Sequence, residues 1–223
     1  MNLSEYLELR KSVRAFAERR GRFVCWKCRQ AGFGCYCEFV RPFSTDIHFV
    51  ILIHPIEVKR RIATGRMAHL CLRDSTLIQG QEFSGDARVS KFLDDPRNHC
   101  VVLYPGRDSV NLSSADSAPA VCAPGKRLVV FVIDGTWNTA GRMIRSEGLR
   151  TLPRISFDVE GPSRFRVRRQ PARECLSTIE AIHHTIELLG GTRAREHDNL
   201  LEVFDQMVEF QLRFTEPGRH PDN

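Results

Sequence analysis

Two stretches of this chain carry residue types that do chemistry. The first is Cys25-x2-Cys28-x6-Cys35-x-Cys37, four cysteines within thirteen residues. Zinc takes four soft ligands in a tetrahedron, and closely spaced cysteine pairs on tight turns provide them. Gly32 and Gly34 lend flexible backbone between the pairs. Four thiolates leave no coordination position for water, so the expected role is structural; four free cysteines in a loop are the alternative. The second stretch is Asp134-Gly135-Thr136-Trp137, directly after the apolar run 128–133. A carboxylate at a partly buried strand end, its pKa raised by desolvation, suits a general base. The rival reading makes Asp134 or Thr136 a helix N-cap, with Trp137 a core side chain behind it.

The elements that must position these groups follow from the patterning. Run 128–133 is rich in β-branched residues and follows Pro124-Gly125, which predicts a strand buried on both faces. A helix-compatible segment, 138–147, comes next, and ligands of open α/β sheets sit at the carboxyl ends of such strands. Further strands are expected at 47–53, ending in His54-Pro55-Ile56-Glu57, at 100–104, ending in Pro105-Gly106, and at 155–157. The run 76–79 is too short to assign. Gly106 lets backbone amides approach a ligand closely, so Pro105 and Gly106 are a candidate cofactor wall. His54 is either catalytic or a hydrogen-bonded structural residue.

Helices are expected at 2–20, at 57–72 with a mild break at Thr64-Gly65-Arg66, at 84–95, at 174–189, and after Asp198, whose carboxylate is placed to cap the last one. The stripe Leu176, Ile179, Ile182, Ile186 and Leu189 stops at Gly190-Gly191. Ser177, Thr178 and Glu180 lie at the first turns of that helix, where free amides and the positive dipole end favour an anion. The Ser/Ala/Pro-rich segment 108–124 is expected to be a surface loop. Strands alternating with helices predict an α/β fold with a mainly parallel sheet.

Composition narrows the function classes. The 223 residues are 42% hydrophobic and 27% charged, ordinary for a globular chain, and suit one substantial domain plus a small appendage. No apolar run approaches the roughly 20 residues of a membrane span, and the charged first twenty residues lack the apolar stretch of a signal peptide, so a cytoplasmic location is expected. Cys71, Cys100, Cys122 and Cys175 are scattered and expected to be reduced thiols. The formal net charge is +6, and nine arginines face three acids between Arg142 and Arg173. Such a concentration points to a polyanionic partner, nucleic acid first. The basic run 10–22 is another surface able to meet phosphate, or simply a solvated face.

Asp134-Gly135-Thr136-Trp137 with Ala140 resembles the signature of the DTW-domain family. His54-Pro55 with Glu57, Thr64-Gly65-Arg66, Arg169-Gln170-Pro171, Ser177-Thr178 with Glu180-Ala181 and the N-terminal cysteines resemble it too, in the family's order. The resemblance implies a tRNA-uridine aminocarboxypropyltransferase, which moves the 3-amino-3-carboxypropyl group of S-adenosylmethionine to N3 of a tRNA uridine and releases methylthioadenosine. It also implies kinship with the knotted SPOUT proteins, hence a C-terminal trefoil knot with the cofactor bent among its loops. On that reading Thr64, Gly65, Gly135 and Thr136 lie along the cofactor, and the anion at Ser177, Thr178 and Glu180 is its methionine carboxylate. Asp134 removes the N3 proton, Trp137 stacks on the target base or the adenine, and Arg164, Arg166, Arg168 and Arg169 contact the tRNA. The expected organisation is 1–42 as an N-terminal helix and four-cysteine zinc module, 43–215 as the catalytic domain and 216–223 as a tail, acting as a monomer. One rival is a SPOUT-type or Rossmann RNA methyltransferase, the latter weakened by the lack of G-x-G-x-x-G after a strand. Another is a non-enzymatic zinc-containing RNA-binding protein, which leaves Asp134-Gly135-Thr136-Trp137 without a purpose.

Overall fold

The computed structural model describes residues 24–60, 62–114, 121–159, 161–167 and 175–215. The helix expected at 2–20, the basic run 10–22, Arg168, Arg169, the Arg169-Gln170-Pro171 stretch and the tail 216–223 lie outside the described residues.

The apolar run around Val130 forms the middle of a six-stranded parallel sheet. Its strands are β1 (His48–Ile53), β2 (Ser75–Gln79), β3 (Asn98–Leu103), β4 (Val110–Asn111), β5 (Arg127–Asp134) and β6 (Arg154–Ser156), in the order β2-β1-β5-β3-β6-β4. β5 pairs with β1 from His48↔Val129 to Ile53↔Asp134 and with β3 from Asn98↔Arg127 to Leu103↔Val132. With both edges hydrogen-bonded and both faces covered, a continuous apolar sequence is stable there.

Alternate residues feed two cores, as the strand period of two demands. Phe49, Ile51, Val101, Val130 and Val132 pack with α2 (Thr64–Cys71), α5 (Thr178–Leu188) and α6 (Asn199–Thr215) through Met67, Ile182 and Phe204. Val50, Leu52, Val102, Val129 and Phe131 pack on the other face with Phe83, with Val89 of α3 (Ala87–Leu93) and with Met143 of α4 (Trp137–Met143).

Several expectations change in detail. The segment 57–72 is two helices, because His54 caps a one-turn helix α1 (Pro55–Val58) and Ala63 is extended before α2 starts at Thr64. Run 76–79 is an outer strand, β2, paired with β1. The segment 108–124 contributes β4 and buries Leu112 and Val121. Asp198 does not cap the last helix: its carboxylate takes the Arg195 guanidinium and His183 Nε2 instead, and a 3-10 turn at Arg193–Asp198 leads into α6. Gly190 and Gly191, at φ of 113° and 69°, end α5 as the sequence predicts.

The cysteine-bearing segment packs against the sheet domain. Cys25, Cys28 and Tyr36 belong to the same buried cluster as α2 and α6. Asn199 ties the segment down, donating from Nδ2 to the Phe39 carbonyl (3.0 Å) and accepting the Arg41 N–H (2.8 Å). Gly34 lies so close to α6 that a Cβ there would sit 2.8 Å from the Phe210 ring. No helix among the described residues is long and apolar enough to cross a membrane.

Candidate active site

β5 delivers Asp134 to the carboxyl edge of the sheet, where its carbonyl accepts the His54 N–H at 2.9 Å. Its side chain is 5% exposed. Oδ1 accepts the Thr178 hydroxyl (2.7 Å) and Oδ2 accepts the Gly65 N–H (3.1 Å). One carboxylate thus joins the end of β5 to the first turns of α2 and α5. Gly65 permits this approach because a Cβ there would lie 2.5 Å from Asp134 Oδ2. Asp134 is not the N-cap of the helix that follows it. Thr136 caps α4, with Oγ1 accepting the Thr139 N–H at 3.3 Å.

Two adjoining cavities open over this edge and share Gly135, Trp137, Cys175, Leu176 and Thr178. The smaller, about 370 Å³, is the polar one, with Asp134, Glu57, Thr64, Thr136, Asn138 and Ser177 in its wall. The larger, about 610 Å³, is walled by Leu103, Tyr104, Pro105, Ile133 and Phe157. Trp137 stands at their junction, 46% exposed, so it is not the core side chain of the rival reading. Its Nε1–H points at Cys175 Sγ (3.0 Å), and its ring meets Tyr104 edge-on at 6.5 Å between centroids.

The other candidates separate cleanly. Thr64, Pro105, Gly135, Thr136, Ser177 and Thr178 line the cavities, and Gly65 supports the floor through Asp134. Gly106 lies outside both walls, facing the Arg154 guanidinium. Glu180 also lies outside, and its carboxylate is occupied. Oε2 accepts the Ser177 N–H and hydroxyl in a capping box and the Ser163 hydroxyl, while Oε1 accepts the Arg164 N–H at 2.7 Å. That box supplies at the start of α5 an acceptor that the sequence reading left to a ligand anion. His54 takes the structural alternative, its Nδ1 accepting the Ile56 N–H at 3.2 Å. Arg164 and Arg166 pair with Asp205 and Glu209 on the exposed side of α6.

Sequence reasoning about the chemistry missed Glu57, a second buried acid in the polar cavity, paired with Arg60 at 3.1 Å. Its place in the His54-Pro55-x-Glu57 stretch was the available signal. It also missed Tyr104, Phe157 and Cys175, which carry no local pattern.

The four N-terminal cysteines converge. Their sulfurs all lie within 4.8 Å of one another, with Cys25–Cys37 at 3.7 Å and Cys28–Cys35 at 3.6 Å. Burial pushes the Cys28 thiol up to about 11. Burial acts on Cys25 as well but is outweighed by hydrogen bonds from the Cys28 and Lys27 backbone, which bring it down to about 7. A second polar cluster, His183, Glu187, His197 and Asp198, closes around Arg195 at the end of α5.

Comparison with known proteins places this geometry. Over 199 residues the chain is 29% identical to tRNA-uridine aminocarboxypropyltransferase 2 of Drosophila melanogaster, covering 86% of this chain and 76% of that protein. It is 28% identical over 202 residues to the Mus musculus protein of the same name, covering 88% of this chain and 65% of the mouse protein. It is 27% identical over 247 residues to tRNA-uridine aminocarboxypropyltransferase 1 of Xenopus laevis, covering 88% and 82%. No solved structure matches. The DTW domain matches residues 22–212, nearly the whole chain and all of the site just described, and the chain therefore belongs to the DTW-domain family.

Proposed function

We propose that this chain is a tRNA-uridine aminocarboxypropyltransferase that uses S-adenosylmethionine. The observation that carries the reading is the pair of cavities meeting over Asp134 and Trp137. The larger suits an adenine and ribose, since Tyr104, Ile133 and Phe157 offer flat apolar walls. The smaller suits an amino-acid end, with Glu57 there to hold an ammonium and the Thr64 and Thr136 hydroxyls there to meet a carboxylate.

Uridine N3 attacks poorly until it loses its proton. Asp134 is the proposed acceptor, fixed by Thr178 and Gly65 in the wall of the polar cavity. Trp137, half-exposed at the junction, is the proposed platform for the target base. The co-substrate supplies the electrophilic carbon: the N3–C bond forms as the C–S bond breaks, the electron pair stays on sulfur, and methylthioadenosine leaves.

Zinc is the proposed occupant of the cysteine cluster. A tetrahedron with Zn–S of about 2.3 Å has sulfur edges of about 3.8 Å, and the cluster already shows 3.6 and 3.7 Å. Its role is structural, fixing the segment on α2 and α6.

The test is the by-product. Incubation with S-adenosylmethionine and unmodified tRNA should release methylthioadenosine. S-adenosylhomocysteine instead would make the protein a methyltransferase, and tRNA binding with neither product would make it a non-enzymatic binder.

A further inference from the structure

The cysteine turn presents an aromatic and cationic surface that the site above does not use. Cys25 and Cys28 are buried, so Trp26 and Lys27 between them stand at the tip of the turn. Trp26 is 78% exposed and Phe33, on the next turn, 60%. The turn itself is well fixed. The Arg29 N–H donates to the Cys25 carbonyl and the Cys25 N–H to the Gln30 carbonyl, both at 2.8 Å. Arg29 is held at φ 60°, a left-handed conformation that costs a residue with a Cβ and persists only where its surroundings impose it. A large apolar side chain held in water on a rigid turn is a poor choice for stability and a good one for recognition.

The tip is also charged. Lys27 Nζ lies 5.4 Å from the centroid of the Trp26 ring. Among the described residues, neither Lys27 nor Arg29 has a carboxylate partner, in contrast to Arg164 and Arg166. The turn therefore presents an exposed tryptophan with two cations beside it in the chain.

We infer that this surface grips the tRNA: a base stacks on Trp26, and flanking phosphates meet Lys27 and Arg29. The inference rests on the tRNA reading proposed above and adds where the RNA is held. Aromatic faces take any base by stacking, and neighbouring cations hold the backbone.

The experiment measures tRNA affinity across a salt series for the zinc-loaded full chain, Trp26→Ala, Trp26→Phe and the double variant Lys27→Gln/Arg29→Gln. Loss of one stacked base should weaken binding by roughly 5- to 150-fold in Trp26→Ala, with its salt slope unchanged, and Trp26→Phe should recover most of that loss. The double variant should lower the slope by about one to two units. Zinc content and methylthioadenosine affinity should stay at wild-type values in all variants, showing the turn and cavity intact. Trp26→Ala binding within about two-fold of wild type overturns the inference and leaves the proposed reaction standing. Failure of the wild type itself to bind tRNA, with methylthioadenosine still bound, overturns both.

Discussion

Gly65→Ala is the most pointed perturbation of the site, because it adds one methyl against the carboxylate on which the account turns. The added Cβ would sit 2.5 Å from Asp134 Oδ2, 2.9 Å from its Cγ and 3.0 Å from Ile51 Cγ2. Ordinary contact begins near 3.4 Å, so either α2 or the Asp134 side chain must give by about 1 Å. Overpacking of this kind costs about 1 to 3 kcal/mol, while alanine's better helix propensity returns about 1 kcal/mol. The net is a fall in melting temperature of up to about 8 °C for a domain of this size. Misplacing a catalytic group by about 1 Å costs about 100-fold in rate. Single-turnover transfer to tRNA, with saturating S-adenosylmethionine, reads the second effect, and a thermal melt reads the first. A variant that melts higher than wild type and turns over at full rate would show slack around Asp134 and refute the packing argument.

Other perturbations extend the test. Asp134→Asn retains two hydrogen bonds if its amide oxygen faces Gly65 and its NH2 group faces the Thr178 hydroxyl, so stability should fall by only about 1 kcal/mol while the rate falls about 100- to 10,000-fold; a rate within a few-fold of wild type removes Asp134 from the mechanism. Elemental analysis should find close to one zinc per chain, and Cys28→Ser should lose it together with thermal stability; a metal-free preparation with an intact fold and four reactive thiols contradicts this. Replacing Arg166, Arg168 and Arg169 together should lower the salt slope of tRNA binding by about two to three units, and an unchanged slope would place that segment away from the RNA. Asp198 is held down to about 2 first by its bond to Arg195, so its stabilising effect is present above its ordinary value of 3.8 and is lost as pH falls toward about 2. Arg195→Gln should flatten the acid limb of stability in that window, which melts at stepped pH will report.

The sheet and its central strand were legible because burial on both faces leaves an unmistakable apolar run at 128–133, and a strand stopping at Asp134 marks a ligand edge. The cysteine cluster was legible because its chemistry is local. What stayed hidden depends on contacts across the chain. Gly65 and Asp134 meet across 69 residues, and no local pattern announces that the glycine is there to admit a carboxylate. Ser177-x-x-Glu180 carries the spacing of a capping box, yet its polarity equally suits an anion site, and only the three-dimensional partners of Glu180 show the box formed. The break between α1 and α2 follows from one histidine cap, and β2 is too short for any period to show. Trp137 illustrates the same limit, since its identity is consistent with a core or a wall and its exposure settles which.

The proposed reaction at Asp134 and the two cavities is transfer of an aminocarboxypropyl group to a tRNA uridine. Mass spectrometry of nucleosides from tRNA incubated with the protein and S-adenosylmethionine labelled in the methionine backbone tests it most directly. A labelled uridine heavier by one 3-amino-3-carboxypropyl group is expected, absent with Asp134→Asn on the same timescale. Unlabelled uridine throughout, or label appearing equally with the variant, would contradict it.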